Sequence, residues 1–211
     1  MVVGVLAIQG GFEAHARVLD QLGATARKVR TPDDLEGIDA LIIPGGESTA
    51  MTFGIEREHL AEPLRDLIAA GTPTLGTCAG MIMLDRSHLG VLDIDVERNA
   101  FGRQLASFET DLDIPALPGE GPLRAVFIRA PWLAAPAASV EVLAEVDGHP
   151  VAVRKDNVLA VAFHPELTDD PRVHEWLVNA VKEPACETSA RTSSRRSSSS
   201  TRPRCRRATS A

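Results

Sequence analysis

The stretch Thr74-Leu75-Gly76-Thr77-Cys78-Ala79-Gly80-Met81-Ile82-Met83-Leu84 constrains this chain more than any other. A short apolar run ends at Gly76, Cys78 lies between two glycines four positions apart, and an apolar helical segment follows at once. This is the pattern of a strand-to-helix nucleophile elbow, with cysteine in the serine position of G-x-S-x-G. A reactive side chain on so sharp a turn needs small neighbours. At the start of the next helix, free backbone N–H groups and the helix dipole favour thiolate over thiol. On this stretch alone a second reading stays open: a buried structural cysteine before an ordinary glycine turn, since cysteine is among the most buried residue types.

The flanking sequence decides the architecture. Residues 2–8 form an apolar run that reads as a first buried strand and is too short for a signal peptide or a membrane span. A helix is predicted over 12–22, with Phe12, Ala16, Leu19 and Leu22 on one side and Gly23 as its stop. Strands follow at 24–29 and 39–43, separated by a linker or helical turn at 32–35. A helix over 56–70 places Leu60, Leu64, Leu67 and Ile68 inward, and residues 73–75 form the strand that enters the elbow. Such strand–helix alternation predicts an α/β fold with a mostly parallel sheet and helices on both faces. Ligands in these sheets gather at the carboxyl ends of the strands, where the elbow and the loop Pro44-Gly45-Gly46-Glu47-Ser48-Thr49 both fall. That loop reads as a binding loop that begins a capped helix, or as a plain turn.

The second half turns mostly to strands, at 89–96, 104–112, 123–128, 140–146, 150–154 and 159–163. Val146-Asp147-Gly148-His149 reads as a hairpin turn. A last helix, 171–181, carries Val173, Leu177 and Val181 on its packing stripe. Aromatics are only 4% and tyrosine is absent, so aliphatic residues must build the core, as they do in parallel sheets.

Charge divides the 211 residues into two parts. Residues 185–211 hold seven arginines against one acid, Glu187, or +6; the overall charge of -7 therefore leaves -13 on residues 1–184. The acidic part is read as the one folded domain, and its charge argues against nucleic-acid binding. The Ser/Arg-rich remainder has no apolar period and is read as disordered: a non-functional extension or, alternatively, a basic segment that binds RNA or an acidic partner or is phosphorylated. Cys78, Cys186 and Cys205 are too few and scattered for a disulfide framework or a zinc site, which points to a reducing, cytoplasmic setting.

A cysteine nucleophile needs a base and a group to orient it. Of six histidines, His15, His59, His88, His149 and His174 sit in contexts that read as solvated surface. His164 follows a buried-type strand, precedes Pro165, and has Glu166 two positions on, where a carboxylate can hold its imidazole. A surface His-Pro-Glu turn is the alternative. With the elbow upstream, a Cys78/His164/Glu166 triad is the better reading.

Gly76-Thr77-Cys78-Ala79-Gly80, Pro44-Gly45-Gly46-Glu47-Ser48-Thr49 and Phe163-His164-Pro165-Glu166 together resemble the class I (triad) glutamine amidotransferases. Val96-Glu97-Arg98-Asn99-Ala100-Phe101-Gly102-Arg103-Gln104, Phe108-Glu109 and Val126-Phe127-Ile128-Arg129-Ala130-Pro131 resemble, more narrowly, the glutaminase subunit of pyridoxal 5′-phosphate synthase. The likeness spans about residues 2–182. It implies a three-layer, flavodoxin-like (Rossmann-like) fold and hydrolysis of L-glutamine through a glutamyl thioester, with the ammonia passed to a synthase subunit. By the same resemblance Cys78, His164 and Glu166 are catalytic. Backbone N–H groups of Gly46 and Ala79 form the oxyanion hole, and Gly46, Glu47, Ser48, Arg98, Ile128 and Arg129 contact the substrate. An arginine such as Arg98 suits the substrate carboxylate, and Glu47 its ammonium. Gln9 is read as support for the oxyanion loop or as a partner contact. No cofactor and no metal are implied, and pyridoxal phosphate is the complex's product.

The chain departs from the family pattern at Asp85-Arg86-Ser87, where relatives carry a longer connection, and in its Ser/Arg tail. The first departure predicts a shortened helix after the elbow and a lost covering loop. Two alternatives remain: a glutaminase serving another pathway, or a non-catalytic scaffold subunit should that shortening disable the site.

Overall fold

The computed structural model describes residues 1–98 and 107–182. Its centre is a seven-stranded sheet in the order β2-β1-β3-β4-β11-β10-β9. The parallel part comprises β1 (Val2–Leu6), β2 (Thr25–Val29), β3 (Ala40–Ile43), β4 (Thr74–Thr77) and β11 (Val158–Val161). Every residue of β3, β4 and β11 is buried, as strands covered on both faces require. Registers such as Ile43 beside Gly76 and Ala160 beside Gly76 bring the ends of these three strands level. Strands β9 (Glu141–Val146) and β10 (His149–Lys155) continue the sheet antiparallel. They are joined by Asp147 and Gly148, both left-handed at φ 51° and 78°, the hairpin that an Asp-Gly pair predicts.

The helices are α1 (Phe12–Gln21), α2 (Ser48–Arg57), α3 (Ala61–Ala69), α4 (Ala79–Leu84) and α5 (Arg172–Lys182). Two small antiparallel pairs stand beside the main sheet: β5 (Ile94–Glu97) with β8 (Trp132–Pro136), and β6 (Ser107–Leu112) with β7 (Leu123–Ile128).

Several boundaries differ from the sequence reading. The helix expected over 56–70 starts later, as α3, because the chain turns between Arg57 and Ala61 with His59 at φ 55°. Helix α2 begins at the loop 44–49, as one of the two readings of that loop has it, with Glu47 as its cap. Gly54 within it is explained by packing, since a Cβ there would overlap Ile8 Cγ2. The strand expected at 89–96 is reduced to β5. Residues before it are folded into turns in which Leu89 donates to the Met83 carbonyl and Gly90 to the Asp85 carbonyl. Strand β8 is an addition to the expected elements; its partner β5 lies far off in sequence. Residues 99–104 of the arginine-containing motif, the start of the strand expected from 104, and the tail 185–211 with Cys186 and Cys205 lie outside the described residues. Among those described, no helix is long and apolar enough to cross a membrane.

Candidate active site

Strands β3, β4 and β11 are consecutive in the sheet, and their carboxyl ends lead to Gly45-Gly46, Cys78 and His164. Cys78 is at φ 48°, ψ -109°, an unusual conformation for a residue with a side chain. It is held there by its N–H, which donates to the Val161 carbonyl at 2.8 Å. The small residues around it follow from close packing. A Cβ on Gly80 would collide with the Ile43 carbonyl, and one on Gly76 would press against Leu84 and the Gly80 backbone. All six residues of α4 are buried beneath this turn.

His164 enters from β11, its N–H donating to the Val126 carbonyl at 2.9 Å and so drawing the end of β7 toward the site. A single 3-10 turn, Pro165–Leu167, swings Glu166 back beneath the imidazole. There the His164 Nδ1–H donates to Glu166 Oε1 at 2.7 Å. The ring also stands beside Cys78, since a Cβ on Gly45 would press on both the imidazole and the Cys78 side chain. Burial alone would push the imidazole's pKa down, but the hydrogen bonds and charges of Cys78 and Glu166 outweigh it, and it rises to about 10. Burial opposes charge on Glu166 too, yet the bond from His164 and the nearby imidazoles hold its carboxyl below the usual carboxylate range. A cation beside a cysteine sulfur favours its nucleophilic form.

The glycine loop is braced from below. A Cβ on Gly10 would overlap the Gly45 carbonyl, and one on Gly46 would overlap the Gln9 side chain, so two glycine turns lie in direct contact. Gln9 Oε1 accepts the Glu47 N–H at 2.5 Å, which favours the loop-support reading of Gln9. Glu47 itself caps α2, accepting from Thr49 N at 3.0 Å and Ala50 N at 2.7 Å. These bonds hold its carboxyl below the usual range.

The three groups open into a cavity of about 670 Å³. Cys78, His164 and Glu166 line it, as do Gly46 and Ala79. So do Glu47, Ser48, Arg98, Ile128 and Arg129, so every site residue expected from sequence shares one cleft. Arg129 stands at the end of β7 in a left-handed conformation, φ 44°. Arg98 follows β5, with Nη1 donating to Thr49 Oγ1 at 3.4 Å and Nη2 3.3 Å from His88 Nε2.

Two expectations are corrected. His15 and His174, read from sequence as surface residues, are fully buried. For His15 the spacing carries the signal: it is three residues from Phe12 and four from Leu19, on the same stripe that faces the core. His88 is only partly exposed and is bound to Asp85 at 2.7 Å. The short connection after α4 is closely knit, since Asp85 Oδ1 also accepts the N–H groups of Ser87 and His88, and Arg86 pairs with Asp93 and Asp95. Helix α4 is indeed brief, ending at Leu84.

The sequence profile of the SNO glutamine amidotransferase family matches residues 5–183. The chain belongs to that family. Among curated relatives, "Pyridoxal 5'-phosphate synthase subunit PdxT" of Carboxydothermus hydrogenoformans is 49% identical over 188 residues, covering 86% of this chain and 98% of its own. The protein of the same name from Pelotomaculum thermopropionicum is 52% identical over 185 residues, covering 84% and 94%. A solved structure described as a glutamine amidotransferase superposes with a TM-score of 0.80 at 44% identity, covering 86% of this chain and all of that one. A second, described as a putative GMP synthase subunit from Thermoplasma acidophilum, reaches 0.67 at 17% identity, covering 87% of this chain and 94% of that one, and shows the shared fold.

Proposed function

We propose that this chain is a glutaminase that hydrolyses L-glutamine to L-glutamate and ammonia, and delivers the ammonia to the synthase subunit of a pyridoxal 5′-phosphate synthase. The family, and the name that its curated relatives share, support the activity and the partner. The observation that supports the mechanism is the imidazole of His164, hydrogen-bonded to Glu166 and packed with Cys78 against Gly45.

Cys78 sulfur attacks the side-chain amide carbon of glutamine. The N–H groups of Ala79 and Gly46 receive the developing oxyanion, each worth on the order of 10²–10³ in rate. Protonated His164 gives its proton to the departing nitrogen, which leaves as ammonia and yields a γ-glutamyl thioester. The now neutral imidazole takes a proton from water, whose oxygen attacks the thioester. Collapse releases glutamate and restores the thiolate and the imidazolium. Glu166 fixes the ring's tautomer throughout. Arg98 grips the substrate carboxylate and Glu47 faces its ammonium, beside Ser48, Ile128 and Arg129. A free thiol at the reaction centre suits a reducing, cytoplasmic setting. Residues 1–184 form the catalytic unit, and 185–211 are an extension to it.

The test is glutamate release with and without the synthase subunit, for wild type and Cys78→Ala. Turnover that depends on the partner and vanishes in the variant is expected; glutamine hydrolysis unchanged in Cys78→Ala would refute the assigned nucleophile.

A further inference from the structure

Behind Glu166 lies a second layer of buried titratable groups that the mechanism does not use. The Oε2 of Glu166, the oxygen turned away from His164, is buried and among the described residues makes no hydrogen bond of ordinary geometry. It faces His15 Nε2 at 3.5 Å. The same Nε2 lies 3.4 Å from Thr77 Oγ1. Thr77 Oγ1 in turn accepts the Gly45 N–H at 3.0 Å. On its far side His15 Nδ1 is 2.9 Å from Nε2 of His174, on α5. His15 thus touches the orienting carboxylate, the residue before the nucleophile, and through it the glycine loop.

The protons can be placed by elimination. Nδ1 of His174 is buried without a partner among the described residues. A bare lone pair there is far more tolerable than an orphaned N–H, so the His174 proton resides on Nε2. That nitrogen then donates to His15 Nδ1, which must accept. The His15 proton is consequently on Nε2, aimed at Glu166 Oε2 and Thr77 Oγ1. Both rings must be neutral for this to hold. Burial pushes His174 down to about 3, and burial also lowers His15 despite the opposing pull of Glu166, with His164 adding to the fall.

We propose that His15, fixed as its Nε2–H tautomer by His174, is a positioning residue that turns its N–H dipole toward the otherwise unpartnered Oε2 of Glu166 and joins that carboxylate to Thr77 and the glycine loop. The inference rests on reading Glu166 as the group that orients His164. His15 lines no part of the cleft, so its effect passes through other residues. Removing its N–H makes protonation of Glu166 easier, since a dipole turned toward the charged form is lost.

The experiment is pH-dependent glutamine hydrolysis in complex with the synthase subunit, for His15→Leu, His15→Gln and Glu166→Gln, together with nitrogen-15 NMR of the histidine rings in the wild-type protein. His15→Leu is expected to lower kcat at least tenfold, leave KM for glutamine unchanged, and move the acid limb of the profile to higher pH. His15→Gln, which retains a donor, is expected to bring that limb back. A His15→Leu profile like wild type beside an impaired Glu166→Gln overturns the role of His15 alone; an unimpaired Glu166→Gln overturns the underlying reading as well. Equal loss in both His15 variants with unmoved limbs shows a merely structural part and also overturns it. Should His15→Leu fail to fold, the wild-type spectrum decides: a proton on Nε2 of His15 supports the proposal, and one on Nδ1 sinks it.

Discussion

His164 Nδ1 and Glu166 Oε1 meet at 2.7 Å across one turn of backbone. Because the pair and the cysteine together lift the imidazole's pKa to about 10, the ring carries its proton through the neutral range. The ring's charge is therefore lost only as pH rises through that value. Glu166→Gln removes the carboxylate's charge, so the imidazole loses a stabilising partner and its pKa falls. The alkaline limb of kcat/KM should move to lower pH, and kcat should drop on the order of 10²–10⁴. Steady-state glutamate release from about pH 6 to about 10.5 measures both, the upper bound set to bracket the wild-type transition.

Gly80 offers a test of the elbow that is independent of chemistry. A Cβ at this position would meet the Ile43 carbonyl, which is backbone and has no rotamer into which to retreat. Gly80→Ala should destabilise the fold by about 3 kcal/mol, the upper range for overpacking. Urea denaturation followed by circular dichroism measures it. A loss below about 1 kcal/mol would mean that α4 can ride away from β3 at little cost.

The chain beyond residue 184 carries the basic excess and falls outside the family match, which ends at 183. A protein ending at residue 184 should keep its partner-dependent glutaminase rate and its melting temperature. Lost activity on truncation would mean that glutamine hydrolysis requires the basic tail.

Local signals carry much of this site, and their limits are physical. Cys78, Gly46 and His164 each follow a buried strand, so short-range pattern locates them, and parallel pairing of β3, β4 and β11 brings them together. Asp147-Gly148 is legible because its left-handed turn depends on those two residues alone. The division between α2 and α3 is not, because it falls at His59, a residue with a side chain held left-handed, φ 55°, where no glycine marks the turn. Strand β8 is illegible too, since only its pairing with β5 makes it a strand. His15 is an intermediate case. Its helical spacing points inward, but a histidine reads as polar until the buried carboxylate it faces is known, and Glu166 lies far along the chain. His174, which packs beside it at 5.1 Å between ring centroids, is a like case, three residues before Leu177 on the buried side of α5.

Arg98 is the cleft's most exacting test of substrate recognition. Its guanidinium is steadied by Thr49 at 3.4 Å and by His88 at 3.3 Å, and His88 is in turn held by Asp85. For His88 Nε2 to accept from Arg98, its proton must lie on Nδ1, where it donates to Asp85 Oδ1. Arg98→Lys keeps the charge but gives up the planar fork that matches a carboxylate. Losing a hydrogen bond to a charged group costs roughly 1.5–3 kcal/mol, so KM for glutamine should rise by about 10- to 100-fold while kcat changes little. His88→Phe removes the brace without touching the guanidinium, and should raise KM by a smaller factor in the same direction. Initial-rate kinetics over a range of glutamine concentrations separate the two parameters. A fall in kcat at constant KM in Arg98→Lys would place this arginine at the reacting amide rather than at the substrate's carboxylate.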